Sequence, residues 1–212
     1  RAVVQGQIEA CLSDIGADAV KTGMLGDAAM VETVAESLRQ QAAGIPLVLD
    51  PVMVAKGGAA LLADDAVEAI RLRLLPLAFL VTPNLPECEA LIGFAPASEE
   101  AARDAARKFR ALGARHVLFK GGHAAGPVVR DILADGDTGE LVTFEAPRIE
   151  TRHTHGTGCT LASAIASGLA QQRPLAEAVA CAHAYVQQAI RTAPGLGQGH
   201  GPLNHFVKPG IS

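Results

Sequence analysis

The chain has 212 residues, of which 49% are hydrophobic and 19% charged. That is enough apolar material for a sizeable core and too much for a disordered chain. Lys and Arg number 18 against 22 Asp and Glu, a net charge of -4, and aromatics make up only 3% with no Trp. This balance leaves no electrostatic footprint for nucleic acid or an anionic membrane, and no aromatic platform for stacked bases.

Apolar runs of strand length alternate along the chain with segments of helical period. Residues 18–22 (DAVKT) read as the first strand. Asp27 caps a helix whose apolar face is Met30, Val31, Val34 and Leu38, closed by Gly44. Residues 46–50 (PLVLD) form the second strand, 64–74 a helix, 77–82 (LAFLVT) the third strand, 98–112 a helix and 115–120 (RHVLFK) the fourth strand. Continuous apolar strands alternating with helices imply an α/β domain, its parallel sheet covered on both faces. Residues 131–133 and 141–144 flank a Gly- and Asp-rich turn and read as an antiparallel hairpin at the sheet edge. Helices at 157–170 and from Pro174 onward close the chain. With no repeat and no long linker, residues 1–212 are expected to form one domain.

The stretch 153–172 lacks Asp, Glu, Lys and Arg, yet carries two His, three Gly and two Gln. It is too polar for hydrocarbon, so no membrane partner is expected. The chain opens on Arg1-Ala-Val-Val-Gln, without a secretory pattern. Cys11, Cys88, Cys159 and Cys181 are widely spaced, with no C-x-x-C pair. Reduced thiols in a soluble, cytoplasmic enzyme are the economical expectation.

In parallel sheets chemistry gathers beyond the carboxyl ends of the strands. Here those ends carry Lys21–Met24, Asp50–Met53, Thr82–Glu87 and Lys120–His123, polar residues suited to phosphate or magnesium. The most informative segment is Thr154-His-Gly-Thr-Gly-Cys-Thr160, which opens a helix of small residues. A Gly-rich turn at a helix start aims backbone N–H groups at one point, so Thr157, Gly158 and Cys159 form an expected anion hole. Cys159 at that helix start is expected to have a lowered thiol pKa. The plainer alternative is that the glycines allow close helix packing and Cys159 is a small buried hydrophobe. For Asn84 and Glu87 the plain reading is a capped helix, with Asn84 as cap, Pro86 in the first turn and Glu87 as capping-box partner. The two roles are compatible.

The motifs TGML (22–25), LDPVM with AKGG (49–53, 55–58), TPNLPE (82–87), KGGH (120–123), HGTGC (155–159) and GHGPLNHF (199–206) together resemble the hydroxymethylpyrimidine/phosphomethylpyrimidine kinases of thiamine biosynthesis. The resemblance runs in order over essentially the whole chain. It implies a three-layer ribokinase-like fold and two successive transfers of phosphoryl from ATP. The first goes to 4-amino-5-hydroxymethyl-2-methylpyrimidine, the second to the monophosphate formed.

Carried over residue by residue, the resemblance makes Cys159 the base or orienter of the attacking hydroxyl, where most sugar kinases of the fold have Asp. Gly156, Thr157 and Gly158 complete the catalytic turn. Lys120, Asn84 and Thr154 become nucleotide contacts, Asp50 and Glu87 arrange Mg2+, and Met24 and Val52 pack against the pyrimidine. Lys56, in the AKGG stretch, is a weaker second candidate for neutralising ATP phosphates, since glycine loops often act as lids but are more often plain turns. His153 and His155 read as loop residues beside the anion hole. Cys11, Cys88 and Cys181 read as inert packing residues on helices.

A homodimer is also implied. A pyridoxal kinase of the same fold and a non-catalytic pyrimidine-binding protein are the competing functions. The family normally begins with a strand, a GGAG-like run and a glutamine-bearing stretch that reads the pyrimidine. These are not in the sequence, and the expectation is that they are omitted or disordered rather than deleted.

Overall fold

The computed structural model describes residues 1–53, 62–123 and 126–208. Lys56 and the AKGG stretch lie outside the described residues. Six strands form one sheet in the spatial order of the sequence: β1 (Val20–Thr22), β2 (Leu47–Leu49), β3 (Leu80–Val81), β4 (His116–Phe119), β5 (Val128–Ala134) and β6 (Leu141–Pro147). The first four run parallel, and β5 and β6 are antiparallel to their neighbours.

Strands β2, β3 and β4 are buried on both faces because helices cover both, whereas β1 carries Lys21 and Thr22 and is only partly buried. Leu47, Leu49, Val81, Val117 and Phe119 point into one core, with α2 (Ala28–Gln41), α3 (Asp64–Ala69), α4 (Leu85–Ile92) and α5 (Glu99–Ala111) packed there. Val48, Leu80, Leu118 and Leu133 point into the other, which is filled by α6 (Thr157–Ala170) and α7 (Leu175–Arg191). A helix α1 (Ala2–Ala10) precedes β1 and has no buried residue.

The helices start where local chemistry dictates. The Asp27 carboxylate accepts from the Met30 N–H at 2.7 Å, and Ser98 Oγ accepts from the Ala101 N–H at 3.2 Å. The third strand is shorter than its apolar run, because Leu75–Leu77 winds into a 3-10 turn around Pro76 and Pro83 has no N–H to extend the ladder. The hairpin is longer than its most apolar residues suggest, since the ladder continues to Val128 opposite Pro147. No described helix is long and apolar enough to cross a membrane.

Candidate active site

Strand alternation builds the site. Val48, Leu80 and Leu118 face α6 and α7, so residues two further along, Asp50, Thr82 and Lys120, emerge on that same face just past the strand ends. Lys120 Nζ lies 2.7 Å from Asp50 Oδ1 and 3.7 Å from Glu87 Oε2. The Thr82 hydroxyl donates to Asp50 Oδ1 at 3.3 Å. Thr82 heads the 82–87 run at a strand end but has no role of its own among the expected site residues; its place one residue past an apolar strand is the available signal.

The charges are buried together. Burial alone would lower the Lys120 pKa, but the facing Asp50 and Glu87 carboxylates overcome it and hold the ammonium above the ordinary lysine range. Burial pushes the Glu87 carboxyl up, against the pull of Lys120 and of the Asn84 N–H. It also pushes the neighbouring Cys88 thiol up to about 12, assisted by Glu87, which leaves that cysteine an unreactive packing residue. Cys11, by contrast, is exposed; it sits in the π-helical turn Cys11–Ile15, which buries none of its residues.

Asn84 and Glu87 do form a capping box at the start of α4. Asn84 Oδ1 accepts from the Glu87 N–H at 2.9 Å, and Glu87 Oε2 accepts from the Asn84 N–H at 2.7 Å. These bonds occupy Asn84 Oδ1 and Glu87 Oε2. Asp50 Oδ2, in contrast, is buried with no hydrogen-bond partner, an arrangement that suits a cation or a bridging water.

The N-terminus of α6 arrives at this cluster. Its cap is Gly156, in the left-handed region at φ 81°, a conformation that favours glycine. The Thr157 hydroxyl donates to the Thr154 carbonyl at 2.8 Å, and the Thr157 N–H faces the same oxygen at 3.4 Å. Of the three amides expected to form an anion hole, this leaves those of Gly158 and Cys159, in the first helical turn, as candidates. A side chain at 158 would place its Cβ 3.3 Å from Lys120 Nζ and 3.9 Å from Asp50 Oδ2. Glycine there lets the helix start close on the charge cluster. Cys159, one residue on, is exposed.

The loop before α6 is held by the C-terminal tail. The His155 N–H donates to the Gly201 carbonyl at 3.1 Å, and His155 bridges Pro202. Leu203 is buried, and the Asn204 N–H is bonded to the Ala189 carbonyl of α7 at 3.1 Å. The tail motif thus has a structural place that the sequence did not assign. Met24 is exposed beyond β1 and Val52 half-buried beyond β2, and these two strands are neighbours.

A model of the family described as phosphomethylpyrimidine kinase matches residues 1–204. The chain belongs to the phosphomethylpyrimidine kinase family. It is 51% identical over 206 residues to the thiamine biosynthesis bifunctional protein ThiED of Geobacter sulfurreducens, covering 97% of this chain and 41% of that protein. To the hydroxymethylpyrimidine/phosphomethylpyrimidine kinase of Streptomyces coelicolor it is 50% identical over 202 residues, covering 95% of this chain and 73% of that one. Among solved structures, an ADP complex of Bacillus subtilis pyridoxal kinase superposes with a TM-score of 0.86 at 34% identity, over 96% of this chain and 76% of that one.

The fold is therefore that of the ribokinase-like vitamin kinases. The chain spans under half the length of the bifunctional relative and about three quarters of the other two. Within this phosphomethylpyrimidine kinase family member, Asp50, Asn84, Glu87, Lys120 and the 156–159 turn converge on one end of the sheet. Thr154 supports that turn through its carbonyl, and Met24 and Val52 follow the two strands at the open edge of the sheet.

Proposed function

We propose that this chain is one kinase domain that phosphorylates 4-amino-5-hydroxymethyl-2-methylpyrimidine with ATP, and then the resulting monophosphate. The observation that carries this reading is the approach of the α6 N-terminus to a buried lysine–carboxylate cluster through Gly158. Phosphoryl transfer asks for positioning and neutralisation of charge more than for covalent chemistry, and this arrangement supplies both.

In this reading Lys120 neutralises phosphate oxygens of ATP, while the Gly158 and Cys159 amides stabilise the charge that grows on the transferred phosphoryl. Cys159 orients the attacking hydroxymethyl group and, as its thiolate, takes that group's proton to become the thiol. Asn84 and Thr154 border the nucleotide phosphates, and Met24 and Val52 give the pyrimidine apolar contacts. Asp50 and Glu87 fit a magnesium ion held largely through water, since Asp50 Oδ2 has no hydrogen-bond donor and magnesium keeps most of its waters. When bound, the ion neutralises charge on the phosphates. A homodimer remains part of the proposal and is tested by light scattering.

The second acceptor is a phosphate monoester with a second pKa of about 6, already largely ionised at neutral pH and in little need of a base. Cys159→Ala should therefore slow the first phosphorylation by about 10²-fold and the second far less. Stopped-time product analysis with each acceptor separates the steps. Equal losses would leave Cys159 a positioning role only. Turnover of pyridoxal in preference to the pyrimidine, at equal ATP and magnesium, would overturn the substrate assignment.

A further inference from the structure

The turn after β4 is gripped from the neighbouring antiparallel strand. The β4–β5 ladder pairs Phe119 with Ile132, so the register places Asp131 across from Lys120 on the α6–α7 face. Asp131 is buried, and its Oδ1 accepts from the Gly121 N–H at 2.8 Å. Gly121 itself sits so close to β5 that any side chain would collide with the Arg130 carbonyl. The second Asp131 oxygen lies 3.8 Å from His183 Nε2 on α7, and that nitrogen has no hydrogen-bond partner.

A buried carboxylate serving a single backbone amide is costly where an apolar residue would pack. Burial raises the Asp131 pKa despite the Gly121 N–H, His183 and Lys120, all of which favour the charged form. The surrounding geometry gives that carboxylate a purpose. Gly121 is the first residue of the 3-10 turn Gly121–His123 and directly follows Lys120, whose own N–H is fixed to the Pro83 carbonyl at 2.9 Å. Lys120 is thus pinned from the β3 side by its backbone and from the β5 side through Gly121.

We propose that Asp131 is a positioning residue that holds the Lys120–Gly121 turn in register with the phosphate site through the Gly121 amide. The inference rests on the reading that Lys120 faces nucleotide phosphates. It requires an acceptor oxygen at position 131, and it makes nucleotide binding, rather than acceptor binding, the step that depends on it.

The test compares wild type, Asp131→Leu and Asp131→Asn. Leucine keeps the branched shape, with somewhat larger volume, but has no acceptor, and asparagine keeps one. ADP affinity is measured by calorimetry, and KM by steady-state kinetics for ATP and for the pyrimidine separately. Asp131→Leu should weaken ADP and raise KM for ATP by about tenfold, as loss of a charge-assisted hydrogen bond implies, with KM for the pyrimidine unchanged. Asp131→Asn should recover most of that loss.

A folded Asp131→Leu with wild-type ADP affinity, or an Asp131→Asn as impaired as the leucine variant, overturns the proposal. If Asp131→Leu does not fold, Asp131→Val on the same strand carries the same prediction. ADP binding needs no acceptor substrate. Wild type that binds ADP but leaves the pyrimidine untouched would sink the substrate assignment while leaving this test intact. Wild type that fails to bind ADP would sink both.

Discussion

Strand β4 carries a cluster of titratable groups at each end, and the two clusters differ in what they leave unsatisfied. At its start, buried His116 accepts from the Gly136 N–H at 3.1 Å through Nδ1. Asp135 Oδ1 accepts from the Asp137 and Thr138 N–H groups at 2.8 and 3.1 Å. Asp137 takes two bonds from Arg115, at 2.9 and 2.6 Å, and Phe79 packs its ring 4.7 Å from that of His116. Ligand-capable atoms of His116, Asp135 and Asp137 lie within 4.8 Å of one another, yet the hydrogen bonds are spent on locking the β5–β6 turn. At the far end, four residues on, Lys120 meets Asp50 and Glu87, and there Asp50 Oδ2 stays buried and unpartnered. A helix N-terminus also points in. Both ends gather acidic and basic groups. What separates a candidate site from a folding device is the set of polar groups left with something still to bind.

The largest effect should come from Lys120→Met. It removes the only described cation between two buried carboxylates, so turnover should fall by about 10²–10³-fold. Stability should fall by about 3 kcal/mol, because the remaining acids are left uncompensated. Protonation limits the cost at Glu87, whose carboxyl is already pushed up by burial, so the stability loss should grow as pH rises. Steady-state rates and denaturant midpoints at two pH values check both parts. Arg115→Met, at the other end, removes an exposed pair and should leave turnover unchanged. A loss of activity there comparable to that of Lys120→Met would erase the contrast between the two ends.

Glu87→Gln sharpens the comparison, because Gln also serves as a capping-box partner. The start of α4 should survive, with a melting temperature within about 4 °C of wild type, while Lys120 loses one of its two facing charges. Turnover should fall by about tenfold, the scale found when a supporting group of a charged site is changed. Unchanged turnover with unchanged melting would reduce Glu87 to a helix cap.

The convergent part of this end of the sheet was legible in sequence because it follows from local rules. Asp50 and Lys120 close apolar runs, and strand alternation sends them to one face. Asn84, Pro86 and Glu87 spell a helix start in four residues. What was not legible depends on pairings across the fold. The Asp131–Gly121 bond needs the antiparallel register of β4 and β5, and 131 read only as the first residue of a hairpin strand. The 199–206 tail carried a motif but no local reason to reach back to His155. That the Thr157 amide faces the Thr154 carbonyl depends on the backbone path of the turn, which no spacing records. His116 read as one residue of an apolar strand; its partners come from a turn about twenty residues later.

The smallest effect concerns that histidine. Burial lowers the His116 pKa below its ordinary 6.5, against the pull of Asp135 and Asp137. The folded state therefore binds its proton less readily than the unfolded chain, and by linkage the neutral ring's contribution is complete above pH 6.5. It is lost as pH falls from there through the folded-state value. His116→Gln removes the titrating ring, so the difference in melting temperature between wild type and variant should shrink on acidification from pH 7.5 to 5.5. The expected change is about 2–4 °C, what 1 kcal/mol is worth in a chain of this size. Turnover at pH 7.5 should stay at the wild-type level, because the ring sits a full strand away from Lys120. A pH-independent difference would mean that the His116 ring titrates alike in the folded and unfolded states. A drop in turnover in the folded variant would mean that the two ends of β4 are coupled, and that the closed cluster reaches the open one.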